Sequence, residues 1–187
     1  MLFSRTIRQF IKASILKKHI QQANFYFTES RLNMLLTEWA DWKENYAPFD
    51  LHNKTVLDIG AGEGETALFY LGLGAKKVIC IEPDRFAFWT LARNARVFNE
   101  TYRNINVQVY NRRFILGDLD TPGVDLIKID VDGYEEAILD TDHTTLKTPM
   151  VLELHGLQLK DRFKEKGYRL NRHACAGWWT CYGFWKC

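Results

Sequence analysis

The sequence predicts an α/β fold, a mostly parallel sheet with helices on both faces and a helical extension in front of it. Three observations predict it. From Lys54 onward, short apolar runs alternate with amphipathic stretches. The runs are apolar at successive positions, as strands covered on both faces must be. The first run also passes straight through a glycine-rich loop into a helix, as an α/β crossover does.

The 187 residues suffice for one well-filled domain. With 47% hydrophobic and 26% charged residues, the composition is that of a folded chain. The extension is assigned to residues 1–50 and the α/β domain to residues 51–187. Within the extension, Phe3, Ile7, Phe10, Ile11 and Ile15 recur at helical spacing. A second helix starts after Thr28, a plausible N-cap, and carries Leu32, Leu35, Leu36, Trp39, Trp42 and Tyr46 on one face. Pro48 ends it, because proline restricts the residue before it and cannot donate to the helix ladder.

In the domain, strands are expected at Thr55–Ile59, Lys77–Ile81, Asn106–Tyr110, Asp125–Asp130 and Met150–Leu154. Helices are expected at Glu65–Leu73, Arg85–Asn99, Glu135–Leu139 and Lys160–Lys166. Tyr168–Leu170 and Thr180–Lys186 would close the sheet as an antiparallel pair, making seven strands.

The formal net charge is +2, which gives no general electrostatic case for nucleic acid. The charge is uneven. Residues 1–28 hold Arg5, Arg8, Lys12, Lys17 and Lys18 and no acid, leaving −3 for the remainder. Three roles fit such an arm: packing on the domain, lying on an anionic membrane through residues 1–24, or covering a substrate entrance. Packing ranks first. No apolar run is long enough to span a bilayer, and Arg8 and Lys12 interrupt any signal-peptide core, so a cytoplasmic location is expected, with membrane association as the variant. Cys80, Cys175, Cys181 and Cys187 do not resemble a disulfide framework. With His173 they lack the paired C-x₂-C units of zinc sites, so free thiols are expected. The aromatics Trp178, Trp179, Tyr182, Phe184 and Trp185 are read mainly as core.

The chemistry concentrates in Asp58-Ile59-Gly60-Ala61-Gly62-Glu63-Gly64-Glu65. Glycines let the chain turn sharply and let a ligand approach where a Cβ would collide. A dinucleotide fingerprint needs a third glycine where Glu65 stands, and Glu63 and Glu65 would oppose a pyrophosphate. A cationic sulfonium ligand meets no such conflict, which favours S-adenosyl-L-methionine over NAD. Glu82 ends the second strand, 22 residues after Gly60, followed by Pro83 and Asp84. A carboxylate there can accept hydrogen bonds from both ribose hydroxyls.

The sequence resembles the FkbM-type family of class I methyltransferases, which have a Rossmann-like fold. The blocks that carry the likeness are Val56–Asp84, Asp125-Leu126-Ile127-Lys128-Ile129-Asp130-Val131-Asp132-Gly133-Tyr134-Glu135, and Val151-Leu152-Glu153-Leu154-His155. The second is similar to the family pattern D-x-I-K-I-D-V-E-G-x-E, with Asp132 in place of its glutamate. The resemblance implies a methyltransferase using S-adenosyl-L-methionine, with Asp58, Gly60, Ala61, Gly62, Gly64, Glu82 and Pro83 at the cofactor. The segment after Tyr110 is short, and Asp118, ahead of Asn111, is the candidate for the acid near adenine.

Methyl transfer is an in-line displacement, in which positioning is worth about 7–11 kcal/mol and general-base help about 10²–10⁴-fold. Asp130 is the expected base or acceptor-orienting group, with Lys128, Glu153 and His155 as its catalytic neighbours and Asp132 and Glu135 nearby. Lys128, Asp130 and Asp132 alternate and would share one side of an extended strand. These acids and His155 form an oxygen-rich set of a kind that suits magnesium, but spacing alone assigns no metal ligand. The implied acceptor is a hydroxyl on a sugar, glycolipid or glycosylated metabolite, with no nucleic-acid partner. The alternatives are a non-catalytic cofactor-binding module and an NAD(P)-dependent oxidoreductase.

Overall fold

The computed structural model describes residues 16–101, 104–131, 133–141, 146–155, 159–170 and 180–185. Residues 16–22 are helical. Helix α1 spans Glu29–Tyr46, and strand β1 (Thr55–Ile59) leads into α2 (Glu65–Gly72). Strand β2 (Lys77–Ile81) precedes α3 (Arg85–Thr101), and β3 (Asn106–Tyr110) precedes a 3₁₀ turn at Leu116–Asp120. Then come β4 (Leu126–Ile129), α4 (Glu135–Leu139), β5 (Met150–His155), α5 (Lys160–Glu165), β6 (Arg169–Leu170) and β7 (Thr180–Trp185).

The seven strands order as β3-β2-β1-β4-β5-β7-β6. The first five are parallel, and β7 runs antiparallel between β5 and β6. Chain order reverses at β1, where β2 lies on one side and β4 on the other. This is the place where an open α/β sheet leaves a crevice beyond its carboxyl ends.

Every residue of β1 and β4 is buried. Alternate side chains feed opposite faces. Val56, Val78, Cys80, Leu126 and Val151 join Leu35, Trp42, Tyr70, Leu91 and Phe98 in one core. Leu57, Ile59, Ile127, Ile129 and Leu152 join Ile138, Leu139 and Phe163 in the other. Helices α1, α2 and α3 thus cover one face, and α4 and α5 cover the other.

The extension is sewn onto the first face. Leu16, Ile20, Phe25 and Phe27 belong to its core, and the Phe25 and Phe98 rings stand 4.5 Å apart. The buried Asn94 side chain accepts from Tyr26 N at 2.9 Å and donates to Tyr26 O at 2.6 Å and Glu63 O at 2.9 Å. For residues 16–27 the packing role of the arm is what the structure displays. Phe3, Ile7, Phe10, Ile11 and Ile15 lie outside the described residues, as do His173, Cys175, Trp178, Trp179, Cys187 and the side chains of Cys181, Tyr182 and Trp185. No helix among the described residues is long and apolar enough to cross a membrane.

Thr28 stands at the N-cap of α1 as expected, its carbonyl accepting from Leu32 N at 2.8 Å, but its hydroxyl makes no cap bond. It donates to Glu63 Oε1 at 2.7 Å, while Thr28 N donates to Glu63 Oε2 at 2.7 Å, tying α1 to the glycine loop. The fourth strand stops at Ile129 and starts after Asp125, whose carboxylate accepts from Thr55 N at 2.8 Å and Lys54 Nζ at 3.1 Å. That acid closes the bottom of the sheet.

Candidate active site

The loop after β1 is built on its neighbours. Gly60 N and Ala61 N both donate to Ile81 O, at 2.9 and 3.2 Å. Gly60 has φ +76, and a Cβ there would lie 1.7 Å from Asp130 O. Backbone, not a movable side chain, fills that space, so only glycine lets the ends of β1 and β4 close together.

Glu82 ties this loop to β2. Its Oε2 accepts from Gly62 N and its Oε1 from Asp84 N, both at 2.8 Å. Burial pushes its carboxyl above the usual range, against these two bonds. Each oxygen keeps a further lone pair for a ligand hydroxyl. Glu82 does not cap the following helix. Asp84 does, accepting from Ala87 N at 2.7 Å.

Beneath the loop lies a buried ion cluster. Lys128, 1% exposed, places its Nζ 2.8 Å from Gly60 O, 3.2 Å from Asp58 Oδ1 and 3.4 Å from Asp130 Oδ2. Asp58 Oδ2 also accepts from Thr66 Oγ1 at 2.5 Å. Burial alone would discharge Lys128, but Asp58, Asp130 and Glu153 outweigh it and hold the ammonium protonated, above its ordinary range. Lys128 therefore joins the two central strands to the loop carbonyl.

The third group gathers at the ends of β4 and β5. His155 Nε2 is 3.8 Å from Asp130 Oδ1 and 3.7 Å from Glu153 Oε1. On the ring's other side, Nδ1 is 2.8 Å from Glu135 Oε1, a side chain that is 2% exposed. Burial opposes ionisation of Glu135, but its bonds to His155 and backbone prevail and hold the carboxyl below its usual range. The Tyr46 hydroxyl donates to Glu153 Oε2. Burial and then the Asp130 charge push Glu153 up to about 7.

These groups share one cleft of about 750 Å³, a size that suits a cofactor together with a small acceptor. The structure brings Gly60, Ala61, Gly62, Glu82, Pro83, Lys128, Asp130, Glu153 and His155 to its wall. It does not bring Asp58, Gly64 or Asp118 there. Asp58 is sealed beneath the loop, and Gly64 starts α2 against Leu91. Asp118 is engaged elsewhere, pairing through both oxygens with Arg112 at 2.6 and 2.8 Å and accepting from Ile115 N at 2.9 Å. It closes the 3₁₀ turn. Asn111 Nδ2 donates to Glu82 O at 2.9 Å, steadying the loop after β2. Asp132 lies outside the described residues.

Sequence reasoning missed the wall supplied by α1, where Arg31, Glu38, Trp42 and Tyr46 face the cleft. It also missed Glu65 as a cleft residue. Glu65 Oε2 accepts from Glu63 N at 2.8 Å, while the buried Oε1 has no hydrogen-bond partner among the described residues, with Arg31 Nε 3.6 Å away. Burial pushes Glu65 up to about 7. A cleft-lining carboxylate at Glu82 with lone pairs to spare and a buried Glu65 oxygen without a hydrogen-bond partner among the described residues fit a ligand with a ribose and a positive charge.

The family described as "Methyltransferase FkbM domain" matches residues 47–170. Among curated proteins, the tRNA U34 carboxymethyltransferase of Shewanella sp. (strain ANA-3) is 47% identical over 51 residues, covering 25% of this chain. The match spans only 16% of that relative's length. Among solved structures, a methyltransferase from Pyrococcus furiosus aligns with TM-score 0.62 at 18% identity, over 99% of this chain and 100% of that one. The methyltransferase FkbM from Methylobacillus flagellatus aligns with TM-score 0.53 at 19% identity, over 97% of this chain and 59% of that one. Magnesium protoporphyrin IX methyltransferase from Synechocystis, solved with bound SAM, gives TM-score 0.56 at 14% identity over 98% and 97%. At such identities these likenesses establish the fold alone. The family match covers most of the chain and includes both the glycine loop and the β4–β5 cluster, so the protein belongs to the FkbM methyltransferase family.

Proposed function

We propose that this protein uses S-adenosyl-L-methionine to methylate a hydroxyl oxygen on a small, hydroxyl-rich acceptor such as a sugar, a glycolipid or a glycosylated metabolite. The observation that carries the reading is the continuity of one cleft, from Glu82 and the glycine loop to Asp130, Glu153 and His155. When bound, the cofactor supplies a methyl group already activated on a sulfonium.

The protein supplies position and proton handling. Glu82 holds the diol, and the Glu65 oxygen without a hydrogen-bond partner among the described residues receives the positively charged end of the donor. Asp130, with His155 beside it, orients the acceptor hydroxyl and draws off its proton as the oxygen takes the methyl group. Glu135 keeps the imidazole aimed.

Charge supports the acceptor class. Six carboxylates line the cleft against Arg31, Arg113 and Lys128. Such a wall accepts hydrogen bonds from neutral hydroxyls and repels a phosphate backbone, which favours a glycan or metabolite over a nucleic acid. The test is incubation with methyl-labelled cofactor and a glycan- and metabolite-rich extract. A base-stable labelled methyl ether, absent with Asp130→Asn, is expected. Label confined to RNA or protein, or labelling that Asp130→Asn leaves intact, would contradict the reading.

A further inference from the structure

We propose that Asp130, Glu153 and His155 form a binding site for one divalent metal ion at the acceptor end of the cleft. Each residue turns one ligand atom inward. Asp130 Oδ1 and Glu153 Oε1 stand 3.8 and 3.7 Å from His155 Nε2, and the three residues offer one ligand atom each, all within 4.8 Å of one another. Atoms so spaced can meet a common ion at about 2.2 Å, an ordinary bond length from nitrogen or carboxylate oxygen to a first-row divalent ion.

The second polar atom of each residue is anchored from outside the triad. Lys128 Nζ lies 3.4 Å from Asp130 Oδ2, the Tyr46 hydroxyl donates to Glu153 Oε2, and Glu135 Oε1 is 2.8 Å from His155 Nδ1. These anchors come from β4, α1 and α4, three separate elements. A carboxylate on Nδ1 selects the tautomer whose Nε2 lone pair faces a metal, and such outer partners are the usual support of metal-binding imidazoles. A cluster held only by surface chance would not have all three outer atoms fixed in this way.

Charge points in the same direction. Asp58, Asp130 and Glu153 surround the ammonium of Lys128, and Glu135 stands behind His155, so a doubly charged ion relieves repulsion that the protein leaves in place. Two carboxylates and one imidazole suit manganese, iron(II) or zinc better than copper(I) or calcium. Three protein ligands leave coordination positions open toward the cleft.

What the ion does there rests on the methyltransferase reading; that it binds does not. An acceptor hydroxyl on an open position loses its proton to water more readily. Its oxygen then bonds to the methyl carbon while the carbon–sulfur bond breaks and leaves its electron pair on sulfur. With the ion bound, Asp130 would orient the hydroxyl as a fellow ligand of the ion, and the proton would pass to water in place of Asp130.

The test is Mn²⁺ titration of chelator-treated protein, followed by electron paramagnetic resonance, with S-adenosylhomocysteine binding measured on the same samples. Wild type should take up one Mn²⁺ per chain, with nitrogen coupling from one imidazole. Glu153→Gln and His155→Ala should weaken uptake by about ten-fold or more and still bind S-adenosylhomocysteine. Wild type that takes up no Mn²⁺ below the millimolar range, or holds it without imidazole coupling, overturns the site. S-adenosylhomocysteine binding without Mn²⁺ uptake overturns the ion site alone. Mn²⁺ uptake with imidazole coupling but no S-adenosylhomocysteine binding upholds the ion site and overturns the cofactor reading.

Discussion

Glu135 Oε1 sits 2.8 Å from His155 Nδ1, joining the first turn of α4 to the end of β5. The bond leaves Nε2 as the atom that faces Asp130 and Glu153. In the proposed reaction Glu135 would act through His155, as a positioning residue. Glu135→Ala should lower kcat by about 10–100-fold while S-adenosylhomocysteine affinity stays within about two-fold. Steady-state kinetics and calorimetric titration check both parts. The depressed carboxyl also makes a stability contribution that is present above the unfolded value of about 4.3 and lost as pH falls through the folded one.

Lys128 is the only cation paired with the sealed Asp58 among the described residues. Lys128→Met should cost about 3–5 kcal/mol, because a buried carboxylate is left without its counter-charge. Adding Asp58→Asn should recover most of that loss. Denaturant unfolding of the two single variants and the double variant measures the coupling.

Gly60→Ala drives a Cβ into the Asp130 carbonyl and should unfold the protein or lower its stability by more than about 3 kcal/mol. Gly117→Ala provides the contrast. A Cβ there meets nothing within 4 Å, so the change should be within about 1 kcal/mol of neutral. Thermal unfolding of the two variants separates a close backbone approach from general intolerance of a side chain.

Burial raises Glu65 to about 7. The sign follows from linkage: a carboxyl with a raised folded value contributes stability that is full below about pH 4.3 and lost as pH rises through about 7. Wild type should therefore lose stability relative to Glu65→Gln between pH 4 and 8, by an amount on the order of 3 kcal/mol. Denaturant midpoints across that range test it. A flat difference would mean that Glu65 stays ionised throughout.

The sheet was legible because its central strands carry apolar residues on both faces, and five buried residues in a row leave few alternatives. The glycine loop and Glu82 were legible because β1 and β2 pair in register, Ile59 with Ile81, which brings both strand ends to one level. Lys128 shows the limit of such reading. Its spacing along the chain pointed to Asp130, yet the shorter ion-pair distance is to Asp58, its cross-strand partner on β1. Strand pairing decides that contact, and spacing along one strand does not encode it. Asp118 failed for a related reason: Arg112, six residues earlier, claims both of its oxygens. Of the α1 wall, Trp42 and Tyr46 lie on the apolar stripe that periodicity marks as core, and Arg31 and Glu38 lie on the flank beside it, which periodicity does not mark. Arg31 and Glu38, polar residues bordering that stripe, were the available signal.

Soaking a crystal with S-adenosylhomocysteine measures the central claim most directly. The account predicts ligand density over Gly60–Gly62, with both ribose hydroxyls within hydrogen-bonding distance of Glu82 and the sulfur facing the Asp130 end of the cleft. An empty cleft at saturating ligand, or a ribose bound away from Glu82, would contradict it.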